Sequence, residues 1–161
     1  MLAIATETPH QPEVIELLRQ SDAYMAALYP AESNHMLDID SLCAPEVHFL
    51  VARWEGRIVG CAALVQGPDG QAEIKRMFVD PAVRGKGAGR GLLAQIETIA
   101  QREALHLLQL ETGGKQPEAL ELYRRFGYVE CGPFGRYKPD PVSLFMEKRL
   151  ERVSGEADIR S

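Results

Sequence analysis

Cysteine is scarce in this sequence, and its few cysteines do not form a metal-binding or redox motif. They are Cys43, Cys61 and Cys131, and none belongs to a C-x-x-C pair. An odd number of widely spaced cysteines favours neither a disulfide framework nor a zinc site. The pattern is typical of a reducing compartment, so we expect a cytoplasmic protein that needs no metal.

Long apolar runs and an excess of positive charge are also missing. No stretch approaches the roughly 18 consecutive apolar residues that indicate a membrane span, and residues 1–7 lack the basic segment of a signal peptide. The formal net charge of −5 argues against general nucleic-acid binding. We therefore expect neither a membrane nor a nucleic acid as a partner.

Two hydrolase signatures and internal repeats are absent as well. Neither H-E-x-x-H nor G-x-S-x-G occurs, which disfavours a metalloprotease and a serine hydrolase. The 161 residues contain no linker or low-complexity segment. We expect one domain over residues 1–150, followed by a polar tail at 151–161.

Hydrophobic periodicity predicts an α+β chain. The predicted strands are 2–6, 47–51, 58–65, 72–79, 105–110, a strand starting at 128, and 142–150. The predicted helices are one or two segments between Pro12 and Pro30, then 88–104 and 116–126, and residues 31–46 are predicted to be a loop with at most one short helix. An antiparallel meander therefore comes first, and a strand–helix–strand–helix–strand series follows it.

A glycine-rich stretch, R-G-K-G-A-G-R-G at residues 84–91, joins a predicted strand to the most regular amphipathic helix. Glycine tolerates positive φ and lets a ligand approach the backbone closely. Free N–H groups at the start of a helix favour negative charge, and the side chains of Arg84, Lys86 and Arg90 add positive charge. The stretch is therefore predicted to bind phosphate.

The spacing of these glycines excludes two common phosphate loops. A dinucleotide G-x-G-x-x-G motif would need its third glycine at Arg90 or Leu92. A Walker loop would need glycine where Asp80 stands, and serine or threonine at position 87. The pattern that does fit is R-x-x-G-x-G, at residues 84–89.

This pattern resembles the signature of the GCN5-related N-acetyltransferase (GNAT) family, Q/R-x-x-G-x-G/A at the start of a helix. Residues 73–79, E-I-K-R-M-F-V, resemble the strand before that loop, and A-L-x-L-Y-x-x-F-G-Y at 119–128 resembles a downstream family motif. The resemblance covers residues 47–150. It implies a three-layer acyl-CoA N-acyltransferase fold with a mixed, mostly antiparallel sheet flanked by helices.

The resemblance also implies an enzyme that binds acetyl-CoA and passes the acetyl group directly to an amine. Backbone N–H groups of residues 85–90 would hold the pyrophosphate, and the main chain of residues 77–79 would pair with the pantetheine arm beside a β-bulge. A plain core strand is the alternative for residues 77–79. The residues so assigned to the coenzyme are Met77, Phe78, Val79, Arg84, Gly85, Lys86, Gly87, Ala88, Gly89, Arg90 and Tyr123.

Direct transfer needs a base to deprotonate the amine and an acid to protonate the leaving thiolate. By resemblance Tyr123 is the candidate acid, and a core tyrosine is the alternative. Glu73 matches a strand glutamate that serves as base in some members, and a carboxylate paired with Lys75 is the alternative. Strand alternation would place Glu73, Lys75, Met77 and Val79 on one face if no bulge intervenes.

The acceptor site is the least defined part of the sequence. Ser33 and His35 precede the meander, and Tyr137 lies in a late Gly/Pro-rich loop, so these are candidate acceptor contacts, with plain surface exposure as the alternative. The predicted acceptor is the primary amine of a small molecule. Alternatives are a protein or peptide amine, or a coenzyme A-binding module without turnover, and a homodimer is expected from many relatives.

Overall fold

Seven strands form one sheet, and helices cover both of its faces. The computed structural model describes residues 1–30 and 38–151. The strands are β1 (Leu2–Thr6), β2 (Val47–Trp54), β3 (Arg57–Gln66), β4 (Gln71–Val79), β5 (Leu107–Gly113), β6 (Val129–Cys131) and β7 (Ser143–Arg149). The helices are α1 (Pro12–Leu28), α2 (Ile39–Leu42), α3 (Ala88–Arg102) and α4 (Pro117–Arg125), with a 3₁₀ turn at Pro81–Val83.

The sheet is mixed and mostly antiparallel, as the sequence predicted. Its strand order is β1-β2-β3-β4-β5-β7-β6, and the only parallel neighbours in the described sheet are β4 and β5. The predicted meander is β2, β3 and β4, and the predicted helices after it are α3 and α4. The segment from Pro12 forms one helix rather than two. Strand β5 begins two residues later than predicted because Leu105 belongs to the turn after α3.

The core has two layers because strand residues alternate between the faces of the sheet. On one face, Leu50 and Leu64 pack against Leu92 and Ile96 of α3. On the other face, Phe49 of β2 packs against Val14 of α1. The i, i+4 spacing of the α3 leucine and isoleucine gives that helix the continuous apolar stripe that the sheet requires.

A β-bulge interrupts this alternation in β4. Ala63 pairs with Lys75 but Cys61 pairs with Phe78, so β4 carries one extra residue, and Arg76 has a φ of 56°. Before the bulge, Ile74 packs on the α3 side and Glu73 and Lys75 lie on the α1 side. After it, Phe78 packs on the α1 side, and Met77 and Val79 pack on the α3 side. The resemblance implied a bulge beside residues 77–79, and one is present. Glu73, Lys75, Met77 and Val79 therefore do not share one face, as they would in an unbulged strand.

The parallel strands separate just beyond their pairing. β4 and β5 pair over Gln71–Ile74 and Leu107–Leu110, after which β5 continues to pair with β7 as far as Gly113. The end of β4 thus leaves the ladder at the carboxyl ends of two parallel strands, a position where α/β sheets commonly bind ligands. The N-terminus of α4 lies over this opening and brings Gln116 and Tyr123 to it.

Two absences concern only residues 1–30 and 38–151. No helix there combines the length and apolar character needed to cross a membrane. No group of three or more His, Cys, Asp or Glu side chains in the same residues is arranged to hold a metal ion.

Candidate active site

The glycine-rich stretch folds as predicted, as an open helix N-terminus. Gly85 and Gly87 have φ values of +88° and +86°, in the left-handed region that favours glycine. Gly87 is the N-cap of α3 and its carbonyl accepts from the N–H of Gly91 at 2.9 Å. The N–H groups of the three intervening residues precede that first helical hydrogen bond and lack helical acceptors. They point to a site for an anion.

Gly89 has a different role, since it allows α3 to approach α4 closely. A Cβ atom at this position would lie 2.9 Å from Cδ2 of Leu122, a side chain of α4. The close contact brings the first turn of α3 beside α4 and forms one end of a groove between them.

This groove, called the donor groove below, has a volume of about 460 Å³ and lies between the end of β4, the glycine-rich stretch and α4. Among the residues that line it are Met77, Phe78, Val79, Arg84, Gly85, Gly87, Ala88, Gly89, Arg90, Ala119, Leu122, Tyr123 and Phe126. The anion site, the apolar walls and the edge of β4 that no longer pairs with β5 fit an elongated ligand that carries a pyrophosphate along its length, as coenzyme A does.

Two basic side chains of the stretch behave differently. Arg84 lines the donor groove, and its Nη1 lies 3.7 Å from Oε1 of Glu118 on α4. Lys86 turns away, with its Nζ 5.2 Å from the ring centroid of Trp54. Of the eleven predicted coenzyme contacts, Lys86 alone does not line the donor groove, although its neighbours Gly85 and Gly87 do.

A second, smaller cavity lies on the other side of the opening and is called the acceptor cavity below. Its volume is about 100 Å³, and α1, β4, β5, the start of α4 and the loop before β7 all contribute to its wall. The polar side chains among its lining residues are Ser21, Tyr29, Glu73, Lys75, Arg76, Glu111, Thr112, Gln116, Tyr123, Tyr137 and Ser143.

Glu73 and Tyr137, predicted separately from the sequence, meet in this cavity. The Tyr137 hydroxyl donates to Oε2 of Glu73 at 2.5 Å, and Nζ of Lys75 donates to the Tyr137 oxygen at 2.7 Å and to Glu73 at 3.4 Å. Burial and then the hydrogen bond to Glu73 raise the pKa of Tyr137. Its hydroxyl therefore keeps its proton at neutral pH and bridges the carboxylate and the ammonium.

Tyr123 stands where the donor groove and the acceptor cavity meet. It lines both, as do Met77, Gln116 and Ala119. The side chain is only 4% exposed and its ring packs edge-on against Tyr128, with centroids 5.9 Å apart. Burial raises the pKa of Tyr123, so its hydroxyl is a proton donor at neutral pH.

A family model described as the acetyltransferase (GNAT) family matches residues 13–128. The chain belongs to the GNAT family. A relative named IAA acetyltransferase, from Azospirillum brasilense, is 49% identical over 150 residues, which are 92% of this chain and 98% of the relative. The protein is therefore an acyltransferase of the GNAT acetyltransferase class, as the sequence predicted.

Solved structures agree with this GNAT assignment. A Klebsiella pneumoniae protein assigned as an acyl-CoA N-acyltransferase superposes with a TM-score of 0.79 at 38% identity, over 94% of this chain and 99% of its own. PaiA N-acetyltransferase from Thermoplasma acidophilum, solved in complex with coenzyme A, has the same fold, with a TM-score of 0.71 at 19% identity over 93% of this chain and 99% of its own.

Several residues of this GNAT site were not predicted from the sequence. Arg76 was missed because its position depends on the bulge, and arginine gives no local signal for a left-handed backbone. Tyr29 was missed because its contact lies 86 residues away in the sequence. Its hydroxyl accepts a hydrogen bond from the backbone N–H of Lys115 at 3.0 Å. Gln116 Nε2 also donates to that hydroxyl, at 3.3 Å, so α1 fixes the start of α4. The predicted acceptor contacts Ser33 and His35 lie outside the described residues.

Proposed function

We propose that the protein transfers the acetyl group of acetyl-CoA directly to the amine of a small molecule. The observation that carries the proposal is the meeting of the donor groove and the acceptor cavity at Tyr123. A ligand arm in the donor groove would end beside a cavity that contains carboxylates and a buried phenol. Direct transfer requires such an arrangement, because the acceptor nitrogen must reach the thioester carbon without an enzyme nucleophile between them.

The donor would be held mainly by the backbone. The N–H groups at the start of α3 and the nearby guanidinium of Arg84 would bind the pyrophosphate. The edge of β4 at Met77, Phe78 and Val79 would pair with the amide-containing arm. The bulge at Arg76 supports this role, because it ends the pairing of β4 with β5 and releases that edge.

In the reaction, the amine nitrogen attacks the carbonyl carbon, a C–N bond forms and the C–S bond breaks. Tyr123 would give its hydroxyl proton to the leaving sulfur and later regain one from water. Burial raises the pKa of the Tyr123 phenol, and burial raises the pKa of a thiol in the same direction, so a thiolate that leaves into the same buried space would also be a stronger base there.

Glu73 would take the proton that the amine loses. It lines the acceptor cavity and also a second opening of about 560 Å³, formed with residues 134–140. A proton accepted from the amine can therefore leave through this opening without crossing the donor groove. The bridge from Tyr137 and Lys75 holds the carboxylate in place between the two spaces.

The size of the acceptor cavity supports a small acceptor. Its volume of about 100 Å³ is far smaller than the donor groove and is closed on one side by α1. The name of the Azospirillum brasilense relative, IAA acetyltransferase, also supports a small-molecule acceptor.

Amine-dependent release of free coenzyme A from acetyl-CoA tests the proposal. The panel should contain small primary amines and short peptides, and mass spectrometry should confirm the acetylated product. We expect release with a subset of the small amines and none with the peptides. Preferred transfer to peptides would contradict the acceptor class. Tight binding of coenzyme A, measured by calorimetry, with no transfer to any amine would instead indicate a binding module.

A further inference from the structure

Arg76 is a buried charge in the wall of the acceptor cavity. Its side chain is only 5% exposed, and it lines the cavity together with Glu73, Glu111 and Tyr123. A buried guanidinium is stable only when its charge and its hydrogen-bond donors are matched by acceptors.

That matching is incomplete in the described residues. Nη1 of Arg76 donates to Oδ1 of Asp22 on α1 at 2.6 Å, and the Asp22 side chain is 53% exposed. Nε of Arg76 is buried and finds no acceptor within residues 1–30 and 38–151. Nε belongs to the edge of the guanidinium away from Nη1, which is an edge that a carboxylate can bind with both oxygens.

Arg76 reaches the cavity wall only with a strained backbone conformation. A φ of 56° is unfavourable for arginine, and glycine or asparagine would form the same bulge with less strain. The bulge itself therefore does not explain an arginine here. What arginine adds is a positive charge beside the acceptor, on the opposite side of β4 from the packed Met77.

The acceptor cavity thus carries charge of both signs. Glu73 is hydrogen-bonded by Tyr137 and Lys75, and Glu111 accepts from the Ser143 hydroxyl at 2.7 Å. We propose that the acceptor is a small amine that also carries a carboxylate, and that Arg76 binds this carboxylate. This proposal rests on the proposed acetyl transfer and specifies its substrate class.

Binding would need only a local movement. Nε is shielded from solvent, so the guanidinium must rotate towards the cavity to present its second edge. Its partner Asp22 lies on the outer surface of α1 and is half exposed, so solvent can take over the hydrogen bond that this rotation weakens. Arg76 is therefore a specificity residue, and Tyr123 and Glu73 keep the chemical roles.

Matched acceptors test the substrate class. Small amino acids should be compared with the corresponding amides and with amines that lack the carboxylate, by measuring coenzyme A release. We expect kcat/KM to be at least tenfold higher for the carboxylated member of the preferred pair. Arg76→Met should raise KM tenfold or more for that member only, and Arg76→Lys should restore part of the preference.

Arg53→Met is the matched control. Arg53 also forms an ion pair with a carboxylate, Glu7 at 2.8 Å, but it does not line the acceptor cavity. This variant should keep the preference for carboxylated acceptors. All variants should bind coenzyme A with unchanged affinity in calorimetry, which shows that they are folded.

The outcomes separate this inference from the proposed function. Equal kcat/KM for carboxylated and neutral acceptors would overturn the role of Arg76 and leave acetyl transfer to small amines intact. Transfer to no amine, with coenzyme A still bound, would overturn the proposed function. If Arg76→Met fails to fold, Asp22→Asn replaces it: removing the competing carboxylate should lower KM for carboxylated acceptors only, and a raised KM would count against the proposal.

Discussion

Two carboxylates face the acceptor cavity from neighbouring strands, and their hydrogen-bond partners distinguish them. Glu73 accepts from Tyr137 and from Lys75, whereas Glu111 accepts from Ser143. Only Glu73 also lines the opening formed with residues 134–140. The path to solvent, rather than nearness to the cavity alone, favours Glu73 as the base.

Glu73→Gln should therefore lower kcat/KM by about 10²–10⁴-fold, the usual contribution of a general base. The amide keeps the size and most hydrogen bonds of the carboxylate but cannot accept the amine proton. Coenzyme A release at saturating acetyl-CoA measures the loss. Glu111→Gln is the matched control, and its kcat/KM should fall much less. An equal or larger fall in Glu111→Gln would indicate that Glu111 on β5, and not Glu73, is the base.

At the scale of elements, the glycine-rich stretch offers a test of backbone binding. Gly87→Ala forces a residue with a Cβ into a φ of +86°, which costs about 1–2 kcal/mol of stability and turns the N–H groups at the start of α3. We expect a several-fold weaker affinity for coenzyme A in calorimetry, together with the lower stability.

Gly56→Ala is the control for strain alone. Gly56 has a φ of +82° in the β2–β3 turn, where an added Cβ would meet no atom within 4 Å, and it does not line the donor groove. This variant should lose similar stability and keep its coenzyme affinity. The same affinity in both variants would show that the stretch does not bind the pyrophosphate.

The elements themselves could be predicted from the sequence, because their signals are local. The apolar stripe of α3 and the glycines at 85 and 87 each depend on a few consecutive residues. The resemblance implied a bulge beside residues 77–79, but its position at Arg76 and the Lys75–Tyr137 contact could not be predicted, since they depend on pairing with β3 and on a residue 62 positions away. The elements that border the donor groove were therefore predictable from the sequence, whereas the contacts within the acceptor cavity needed the tertiary structure.

At the scale of the whole molecule, buried tyrosines should make the free energy of unfolding fall as the pH rises into the alkaline range. Burial raises the pKa of Tyr123 and of Tyr128, and the neighbouring Glu97 adds to the effect on Tyr128. In the unfolded chain both titrate near pH 10, at about the ordinary value for tyrosine. Above that pH the folded chain holds more protons than the unfolded chain, so stability is full below about pH 10 and falls as the pH rises further.

Each tyrosine should contribute a slope of at most about 1.4 kcal/mol per pH unit. Urea unfolding from about pH 8 to pH 11 measures the slope. Tyr128→Phe removes one titrating group and should flatten the alkaline slope by about that amount, even if it is less stable at neutral pH. An unchanged slope would mean that Tyr128 ionises in the folded protein as it does in the unfolded chain.

Tyr123, as the acid between donor and acceptor, is central to the proposed mechanism, and one comparison of variants tests it most directly. Tyr123→Phe should lower kcat for coenzyme A release by about 10²-fold or more at unchanged coenzyme affinity. Tyr128→Phe is the matched variant: its ring packs 5.9 Å from that of Tyr123, but its hydroxyl donates to Glu97 and it lines neither cavity. It should keep kcat within a few-fold of the wild-type protein. Equal kcat in the two variants would contradict the central role of Tyr123.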